Sequence, residues 1–326
     1  MKVTVIGAGA WGTALANLLC HNGNEVTLWG HSAAHLAEVQ RTGRNELFLP
    51  GISLSPKLRC TPDLPAAAEG SECLVVAVPS KFLREVTARL PQFRGIAVSV
   101  TKGIEDGTGL TMSGILKATM PGAAAGALSG PSFALEVAKG IPGAIVAAHP
   151  EASVAKTIQR LFHGSTFRVY TSTDLLGVEL GGALKNVVAV AAGIGDGLGF
   201  GDNTKAALIT RAMAEIRRLG VACGANAETF SGLSGLGDLT VTCFSNLSRN
   251  RRFGERVGRG EKVEQIVAGA VEVVEGYPNA RSAHHLAGRM KTETPIVREV
   301  YAMLYENKDV RQAVQSLMSR DMKQED

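Results

Sequence analysis

Residues 3–12 read VTVIGAGAWG, and this stretch decides the fold of the N-terminal half. Residues 3–6 form a short apolar run typical of a buried strand, and a helix is predicted over residues 13–21. Between them Gly7, Gly9 and Gly12 stand at GxGxxG spacing. There the first glycine permits a tight turn, the second lets a pyrophosphate approach, and the third lets helix and strand pack closely. The stretch predicts a dinucleotide site at a helix N-terminus, with a glycine turn that binds no ligand as the alternative.

The rest of this half repeats the alternation of strand and helix. Further strands are predicted at residues 25–29, 73–78, 96–100 and 143–148. Continuously apolar strands suit a parallel sheet covered on both faces, and the helical stretches between them make βαβ units. Residues 1–175 are therefore predicted to form a Rossmann-type, doubly wound α/β domain.

The second half is predicted to be helical, because strand signals fade after about residue 174. Leu180, Leu184 and Val187 lie on one helical stripe, and further helices are predicted over residues 204–219, 262–270 and 295–307. The core positions expected in the helix over residues 204–219 are Ala207, Leu208, Met213 and Ile216. The sequence thus predicts an all-α domain over residues 176–326.

Composition limits the classes of protein that fit. A chain of 326 residues has the length of two domains, and a net charge of +4 is too small to indicate a nucleic-acid-binding protein. The five cysteines are odd in number and include no CxxC pair, so neither a disulfide framework nor a metal site is expected. A reducing cytoplasm is the simplest setting for such thiols. No run of 18 apolar residues is free of glycine and charge, so no transmembrane segment is predicted.

The residues after the second predicted strand bear on the choice of dinucleotide. An acid at this point would accept a hydrogen bond from the 2′-hydroxyl of NADH. The chain has Gly30, His31 and Ser32 there, so no carboxylate repels a 2′-phosphate, and the last two side chains can donate to it. The segment favours NADPH and leaves NADH open. The alternative is that His31 is an exposed loop residue.

Two lysines are candidate acid–base groups. Lys185 lies in the mostly apolar helical stretch of residues 179–186, where a charge needs a partner or a role. Lys102 follows the predicted strand at residues 96–100, and ligands of open α/β sheets bind beyond the carboxyl ends of the strands. A lysine whose pKa is lowered by burial or by a second ammonium group suits a proton donor. The plain alternatives are a lysine at a helix edge for Lys185 and an exposed loop lysine for Lys102.

A basic segment and one acid complete the candidates. Residues 248–252 read SRNRR and carry three guanidinium groups, which bind phosphate oxygens in a bidentate way, with Ser and Asn as further donors. A solvated basic run is the alternative. Asp238 lies in a glycine-rich turn and is either a site residue or only a helix cap.

Taken together, these motifs closely resemble those of the bacterial-type NAD(P)-dependent glycerol-3-phosphate dehydrogenases. The similarity runs in the family's order from residue 1 to about residue 300. The matching segments are residues 7–12, 101–104, 128–134, 179–186, 196–199, 235–239, 248–254 and 274–276. The resemblance implies a Rossmann-type domain followed by a helical domain like that of 6-phosphogluconate dehydrogenase, and a homodimer.

The resemblance also implies a role for individual residues. Lys185 is the expected proton donor, Lys102 polarises the substrate carbonyl, and Asp238 orients the substrate hydroxyl or the catalytic lysine. The residues implied in substrate binding are Lys102, Gly130, Ser132, Lys185, Asn186, Asp238, Ser248, Arg249 and Asn250. Those implied at the cofactor are Gly7, Gly9, Ala10, Trp11, Gly12, His31, Lys102, Ala134, Arg249, Val273 and Glu275.

The implied reaction is the reversible reduction of dihydroxyacetone phosphate to sn-glycerol 3-phosphate, which supplies glycerophospholipid synthesis. Two other classes share the glycine motif. A dehydrogenase of hydroxy acids or sugar acids would have the same architecture, but the basic segment beside Lys185 and Asn186 favours a phosphorylated substrate. A redox sensor that only binds the dinucleotide would need an output module, and the sequence shows no basic recognition helix.

Overall fold

The N-terminal half is an eight-stranded sheet flanked by helices. The computed structural model describes residues 1–270, 273–322 and 324. The strands are β1 (Lys2–Ile6), β2 (Glu25–Trp29), β3 (Arg59–Thr61), β4 (Cys73–Val76), β5 (Ile96–Ser99), β6 (Ala124–Ser129), β7 (Gly143–Ala148) and β8 (Phe167–Ser172). The helices are α1 (Ala10–His21), α2 (Ala33–Thr42), α3 (Leu64–Ala68), α4 (Ser80–Ala88), α5 (Met112–Thr119), α6 (Ala134–Ala138) and α7 (Ala152–Phe162).

The order of the strands confirms the predicted Rossmann-type sheet. They run β3-β2-β1-β4-β5-β6-β7-β8, and every neighbouring pair is parallel except β6 and β7. In β4, Cys73 and Val75 enter one core cluster while Leu74 and Val76 enter another, so both faces of the sheet are covered. The chain direction across the sheet reverses between β1 and β4, and such a switch point opens a crevice at the carboxyl ends of the strands.

Three strands are not predicted from the sequence pattern. β3 has only three residues, and β6 is rich in alanine and glycine rather than in β-branched residues. β8 lies at one edge of the sheet, and in it Phe167 and Val169 are buried while Arg168 and Tyr170 are exposed. A search for continuous apolar runs passes over such an alternating strand, because it detects strands buried on both faces.

The C-terminal half is helical, as predicted, and α8 forms its centre. The helices are α8 (Leu175–Gly197), α9 (Asp202–Ala222), α10 (Asp238–Phe244), α11 (Arg249–Gly258), α12 (Val263–Ala268), α13 (Gly276–Arg289), α14 (Pro295–Tyr305) and α15 (Val310–Met318), with a 3-10 turn (Ala227–Ser231) and a π turn (Leu233–Gly237) before α10. α8 is long and apolar enough to cross a membrane by length and composition, but 89% of its most apolar window is buried inside the protein. It is therefore the core helix of this half.

Small residues let α11 approach α8 closely. A Cβ on Gly193 of α8 would lie 1.9 Å from the carbonyl oxygen of Arg251, and a Cβ on Gly254 of α11 would lie 2.1 Å from that of Val190. The two backbones are thus in direct contact, which fixes the start of α11 beside the middle of α8.

The buried stripe of α9 differs from the predicted one. Ile216 is buried as expected, and Leu208 and Met213 pack against the core from partly buried positions, but Ala207 is exposed. The buried positions are Ile209, Ala212, Glu215, Ile216, Leu219 and Gly220. The prediction for Ala207 is wrong because several adjacent residues of this helix are apolar. The periodicity therefore does not show which of two neighbouring positions faces the core.

Candidate active site

A cleft of about 580 Å³ lies where the carboxyl ends of the strands meet the helical half. Its volume is within the roughly 300–1,000 Å³ usual for small-molecule sites. The sequence-predicted residues that line it are Gly9, Ala10, Trp11, Lys102, Ser132, Ala134, Lys185, Asn186, Asp238, Ser248, Arg249, Asn250, Val273 and Glu275. The fold therefore brings together residues from nearly the whole length of the chain.

The glycine turn before α1 leaves free space in the cleft at the N-terminus of this helix. A Cβ on Gly9 would meet nothing within 4 Å, and α1 begins there without a side-chain cap. Gly7 has a φ of 123°, and a Cβ on Gly12 would lie 1.9 Å from the carbonyl oxygen of Gly7, so these two glycines shape the turn and do not line the cleft. The first N–H groups of a helix have no intrahelical acceptor. The turn therefore fits the pyrophosphate of a dinucleotide.

Asp238 joins the two candidate lysines. The Nζ of Lys185 donates to Oδ1 of Asp238 at 2.5 Å, and the Nζ of Lys102 donates to Oδ2 at 2.5 Å. The side chains of Lys185 and Asp238 are only 7% and 2% exposed. Lys185 is thus not a lysine with its ammonium group in water, and Asp238 is more than a helix cap.

Thr242 is a site residue that the sequence analysis missed. Its Oγ1 accepts from the Nζ of Lys185 at 2.7 Å and donates to the carbonyl oxygen of Asp238 at 2.6 Å. The available signal was spacing, because a residue four positions after Asp238 on a helix lies on the same face. Lys185 is therefore held by two acceptors from one helix.

The surroundings of Lys185 favour proton transfer near neutral pH. Burial lowers the pKa of Lys185 to about 8; the carboxylate of Asp238 opposes this shift and the ammonium group of Lys102 adds to it. A group with a pKa near the working pH both donates and accepts a proton readily. A lowered pKa of Lys185 is the effect expected when two ammonium groups lie close together in a partly desolvated site.

Residues 130–132 support Lys102 from the side of the sheet. The carbonyl oxygen of Gly130 accepts from the Nζ of Lys102 and from the Oγ of Ser132, both at 3.0 Å. Gly130 itself lies outside the lining of the cleft. Its contact in this structure is therefore with Lys102.

The start of α11 divides the basic segment into two groups. Arg249 and Arg252 are three residues apart on one helical face, and both line the cleft. Arg251 faces away, and its Nε donates to Oδ2 of Asp196 at 2.6 Å. Ser248 caps the helix by accepting from the backbone N–H of Arg251 at 3.2 Å. Two of the three guanidinium groups therefore face the cleft.

Two amides lie behind these arginines. The Nδ2 of Asn250 donates to Oδ1 of Asn186 at 2.8 Å, and Oδ1 of Asn250 accepts from the backbone N–H of Gly276 at 2.9 Å. In the described part of the chain no acceptor binds Nδ2 of Asn186. This amide lines the cleft, so the nitrogen is a donor for a ligand.

Glu275 ties the helical half to the start of α4. Its carboxylate accepts from the backbone N–H of Ser80 at 2.9 Å and from the hydroxyl of Ser80 at 2.5 Å. Burial raises the pKa of Glu275 above its ordinary value. The contact closes one side of the cleft, beside Val273.

His31 is placed apart from the other predicted residues. It is exposed in the turn between β2 and α2 and does not line the cleft. Ser32 caps α2 by accepting from the backbone N–H of His35 at 3.3 Å. The cleft is also lined by Phe48, Leu49 and Pro50, which no sequence motif marks.

Profiles of one protein family match both halves of the chain. The profile described as NAD-dependent glycerol-3-phosphate dehydrogenase N-terminus covers residues 2–155, and the corresponding C-terminus profile covers residues 174–315. A glycerol-3-phosphate dehydrogenase (NAD(P)+) of Geobacter sulfurreducens is 51% identical over 99% of this chain and 98% of its own length. The chain belongs to the family of NAD-dependent glycerol-3-phosphate dehydrogenases.

Two further relatives of this family agree over the full length. A glycerol-3-phosphate dehydrogenase (NAD(P)+) of Syntrophotalea carbinolica is 48% identical over 100% of this chain and 99% of its own. The crystal structure of glycerol-3-phosphate dehydrogenase from Coxiella burnetii is 38% identical, with a TM-score of 0.94, and covers 98% of this chain and 99% of that one. The glycerol-3-phosphate dehydrogenase family thus accounts for the sheet, the helical half and the cleft between them.

Proposed function

We propose that this chain catalyses the reversible, NAD(P)H-dependent reduction of dihydroxyacetone phosphate to sn-glycerol 3-phosphate, a product that supplies glycerophospholipid synthesis. The observation that carries the proposal is the pair of Lys102 and Lys185 on the carboxylate of Asp238, inside a cleft that also contains Gly9 and Arg249. One cavity thus offers groups for a dinucleotide, for a carbonyl oxygen and for a phosphate. The family of the chain supports the same reaction.

The cofactor binds along the glycine turn. Gly9, Ala10 and Trp11 hold the pyrophosphate at the start of α1, where the helix dipole favours an anion. Ala134, Arg249, Val273 and Glu275 line the rest of its path, and His31 lies at the end of β2, where the adenosine ribose of a dinucleotide is bound in this fold. When bound, the reduced nicotinamide supplies a hydride to the ketone carbon. NADPH is preferred because no acid follows β2, and NADH is also used.

The phosphate of the substrate binds at the start of α11. The guanidinium group of Arg249 binds two phosphate oxygens, and Ser248, Asn250 and Asn186 donate to the others. Ser132 contacts the substrate, and Gly130 acts through its carbonyl oxygen beside Lys102. A phosphate held in this way fixes the distance of the carbonyl group from the two lysines.

The two lysines handle the charge and the proton. Negative charge develops on the carbonyl oxygen during reduction, and the ammonium groups of Lys102 and Lys185 stabilise it. Lys185 then donates its proton to this oxygen, while Asp238 keeps its ammonium group in place. In the oxidation of glycerol 3-phosphate, neutral Lys185 accepts the hydroxyl proton.

The organisation of the protein follows from the same argument. Residues 1–175 form the NAD(P)-binding domain and residues 176–326 the substrate-binding domain, with the cleft between them. The five cysteines are free thiols, which suits a reducing cytoplasm. The resemblance to the family implies a homodimer, and sedimentation velocity of the purified protein measures that state.

The proposed reaction is tested by following the absorbance of the reduced nicotinamide. The purified protein is mixed with dihydroxyacetone phosphate and with NADPH or NADH in turn, and dihydroxyacetone without phosphate is the control substrate. Rapid oxidation that requires the phosphate supports the proposal, and the ratio of the two rates tests the preference for NADPH. If the protein binds NADPH but does not oxidise it, dihydroxyacetone phosphate is not the substrate. Hydroxy acids and other sugar phosphates would then be tried.

Two variants test the assigned residues. Lys185→Ala should lose turnover while its dissociation constant for NADPH stays unchanged. Arg249→Ala should raise the KM for substrate about 10- to 100-fold, because a charge-assisted hydrogen bond contributes roughly 1.5–3 kcal/mol. Near wild-type turnover of the first variant, or an unchanged KM in the second, would remove that residue from its role.

A further inference from the structure

The loop that carries Lys102 is held by the opposite half of the protein. This Lys102 loop, residues 101–104, leaves the carboxyl end of β5 and meets Asn279 of α13. Oδ1 of Asn279 accepts from the backbone N–H of Ile104 at 3.3 Å, and its Nδ2 donates to the carbonyl oxygen of Lys102 at 3.4 Å. Asn279 is 1% exposed, the bond to Ile104 is buried, and the bond to Lys102 is partly buried.

We propose that Asn279 is a positioning residue, which holds the Lys102 loop against the helical half so that the ammonium group of Lys102 stays on Asp238. The inference rests on the proposed function, because it concerns the placement of one of the two lysines in that reaction. Asn279 does not line the cleft and acts only through the backbone on either side of Gly103.

The Lys102 loop is also in close contact with Ser80. A Cβ on Gly103 would lie 2.6 Å from the Cβ of Ser80 and 3.4 Å from Oδ1 of Asn279, so both side chains lie against the loop at this glycine. Ser80 is held by Glu275, and Thr101 donates through its Oγ1 to the carbonyl oxygen of Val78 at 2.7 Å. With Asn279 intact, the loop has one position relative to α13.

Further contacts extend the attachment along α13. Asp106, just beyond the loop, binds Arg281 at 2.8 Å and His285 at 2.7 Å, and Arg289 donates to the carbonyl oxygen of Gly107 at 2.8 Å. These groups are partly exposed, and exposed ion pairs contribute little. Asn279 is the buried contact of the set and the one that binds Lys102 itself.

The proton affinity of Lys185 reports where Lys102 lies. Lys185 faces the carboxylate of Asp238 and the thiol of Cys243 on α10, and the ammonium group of Lys102 from the Lys102 loop. The charge of Lys102 lowers the pKa of Lys185. When Lys102 moves away this repulsion is lost and Asp238 interacts with Lys185 alone, so the pKa of Lys185 rises.

The test compares Asn279→Ala with two reference variants. Lys102→Met removes the ammonium group directly. Ser282→Ala removes a buried hydroxyl one turn further along α13, and within the described residues this hydroxyl bonds only to the carbonyl oxygen of Pro278. We expect Asn279→Ala to lower kcat roughly 10- to 100-fold, since small misplacements of a reacting group have effects of that size. Ser282→Ala behaves as the wild type in the same assay.

The pKa of Lys185 is measured directly by NMR titration of 13C-labelled lysine, assigned with Lys185→Arg, in a measurement that needs no turnover. We expect Asn279→Ala to raise this pKa by roughly half a unit or more, and to change nothing further in the Lys102→Met background. An unchanged pKa of Lys185 in Asn279→Ala would overturn the proposal. A shift of equal size in the Lys102→Met background would also overturn it. A wild type without turnover on dihydroxyacetone phosphate would contradict the proposed function, while the NMR titration would still decide the role of Asn279. If Asn279→Ala does not fold, Asn279→Ser is titrated in its place.

Discussion

At the scale of single residues, the site depends on one carboxylate shared by two ammonium groups. Asp238 is 1% exposed and Lys185 is 6% exposed, and charges so far from water persist only when they are paired and hydrogen-bonded. The formal charges of Lys102, Lys185 and Asp238 leave one excess positive charge at the bottom of the cleft. In the proposed reaction this charge would attract the anionic substrate and stabilise the oxyanion that forms during reduction.

Thr242 should matter for turnover because it supplies the second acceptor for Lys185. Thr242→Val keeps the shape and removes that acceptor, so we expect kcat to fall roughly 10-fold or more, the effect of losing one hydrogen bond to a charged group. The NADPH dissociation constant should not change. Thr240→Val on the same helix is the matched control, since Thr240 is exposed and bonds only to the backbone of Leu236. Wild-type kcat in Thr242→Val would contradict the geometry described above.

The pH dependence of reduction should follow Lys185. The lysine must be protonated to donate, so kcat/KM for dihydroxyacetone phosphate should decline as the pH rises above about 8. Asp238 raises the pKa of Lys185, so Asp238→Asn should move this alkaline limb to lower pH in the activity that remains. Oxidation of glycerol 3-phosphate should show the opposite slope. Initial rates across the pH range measure both, and a limb that stays in place in Asp238→Asn would exclude Lys185 as its origin.

At the scale of helices and strands, the buried Glu179 and Glu215 and the half-buried Glu275 bind helix N-termini that are distant in sequence. Glu179 accepts from the backbone N–H of Ser113 at the start of α5, and Glu275 accepts from that of Ser80 at the start of α4. Glu215 of α9 accepts from Ile296 at the start of α14 at 2.9 Å. Each carboxylate satisfies N–H groups that the helix cannot satisfy itself and lies at the positive end of the helix dipole.

Glu215 should make the stability of the protein depend on pH. Burial raises the pKa of Glu215 to about 7, against the hydrogen bonds from the α14 backbone that lower it. Between its ordinary value of 4.5 and about 7 the folded protein keeps a proton that the unfolded chain releases, so this group lowers the free energy of unfolding as the pH rises. Glu215→Gln keeps an acceptor for Ile296 and cannot ionise. Its stability relative to the wild type should rise by on the order of 2–3 kcal/mol from pH 5 to pH 8, as judged from the pKa difference.

Urea denaturation at several pH values measures this difference, with Glu264→Gln on the exposed face of α12 as the control. A constant difference between Glu215→Gln and the wild type would show that Glu215 does not titrate in this range.

At the scale of the whole molecule, buried and half-buried polar contacts join the sheet to the helical half. Glu179 on α8 binds both the backbone N–H and the hydroxyl of Ser113, Glu275 binds Ser80, and Asn279 binds the Lys102 loop. Such bonds have fixed geometry, unlike apolar contacts, which tolerate sliding. The two halves are therefore held in register around the cleft.

Removing the contact at Glu179 should loosen this arrangement without altering the chemistry. Glu179→Ala removes the carboxylate that accepts from the N–H and the hydroxyl of buried Ser113, so we expect the free energy of unfolding to fall by about 1–3 kcal/mol. Glu179→Gln should be close to neutral at pH 8, because burial raises the pKa of Glu179 and disfavours its charged form. Circular dichroism during urea denaturation measures both variants. Since Glu179 does not line the cleft, a large loss of kcat in folded Glu179→Gln would contradict a structural role.

The sequence by itself determined the features that depend on local pattern. The apolar run before Gly7 gave β1 and the glycine turn, and β2 and β7 have the predicted bounds. Steric rules and hydrophobic periodicity act over a few residues, so the local sequence is sufficient to predict these elements. Lys102, Lys185 and the arginines of residues 248–252 were candidates from their positions and chemistry. The family resemblance then assigned their individual roles, which remain proposals for this chain.

Only the tertiary structure decided which side chains meet. Lys102 and Asp238 are 136 residues apart in the chain, and Lys185 and Asp238 are 53 apart, so no local pattern connects the three. The same holds for Asn279 and the Lys102 loop, 177 residues away at Lys102. Two residues of the same type can also have different environments. Arg249 lines the cleft, while Arg251, two positions along the same helix, pairs with Asp196. The physical reason is that burial, pairing and proton affinity are properties of the packed site, where the helical half lies against the sheet.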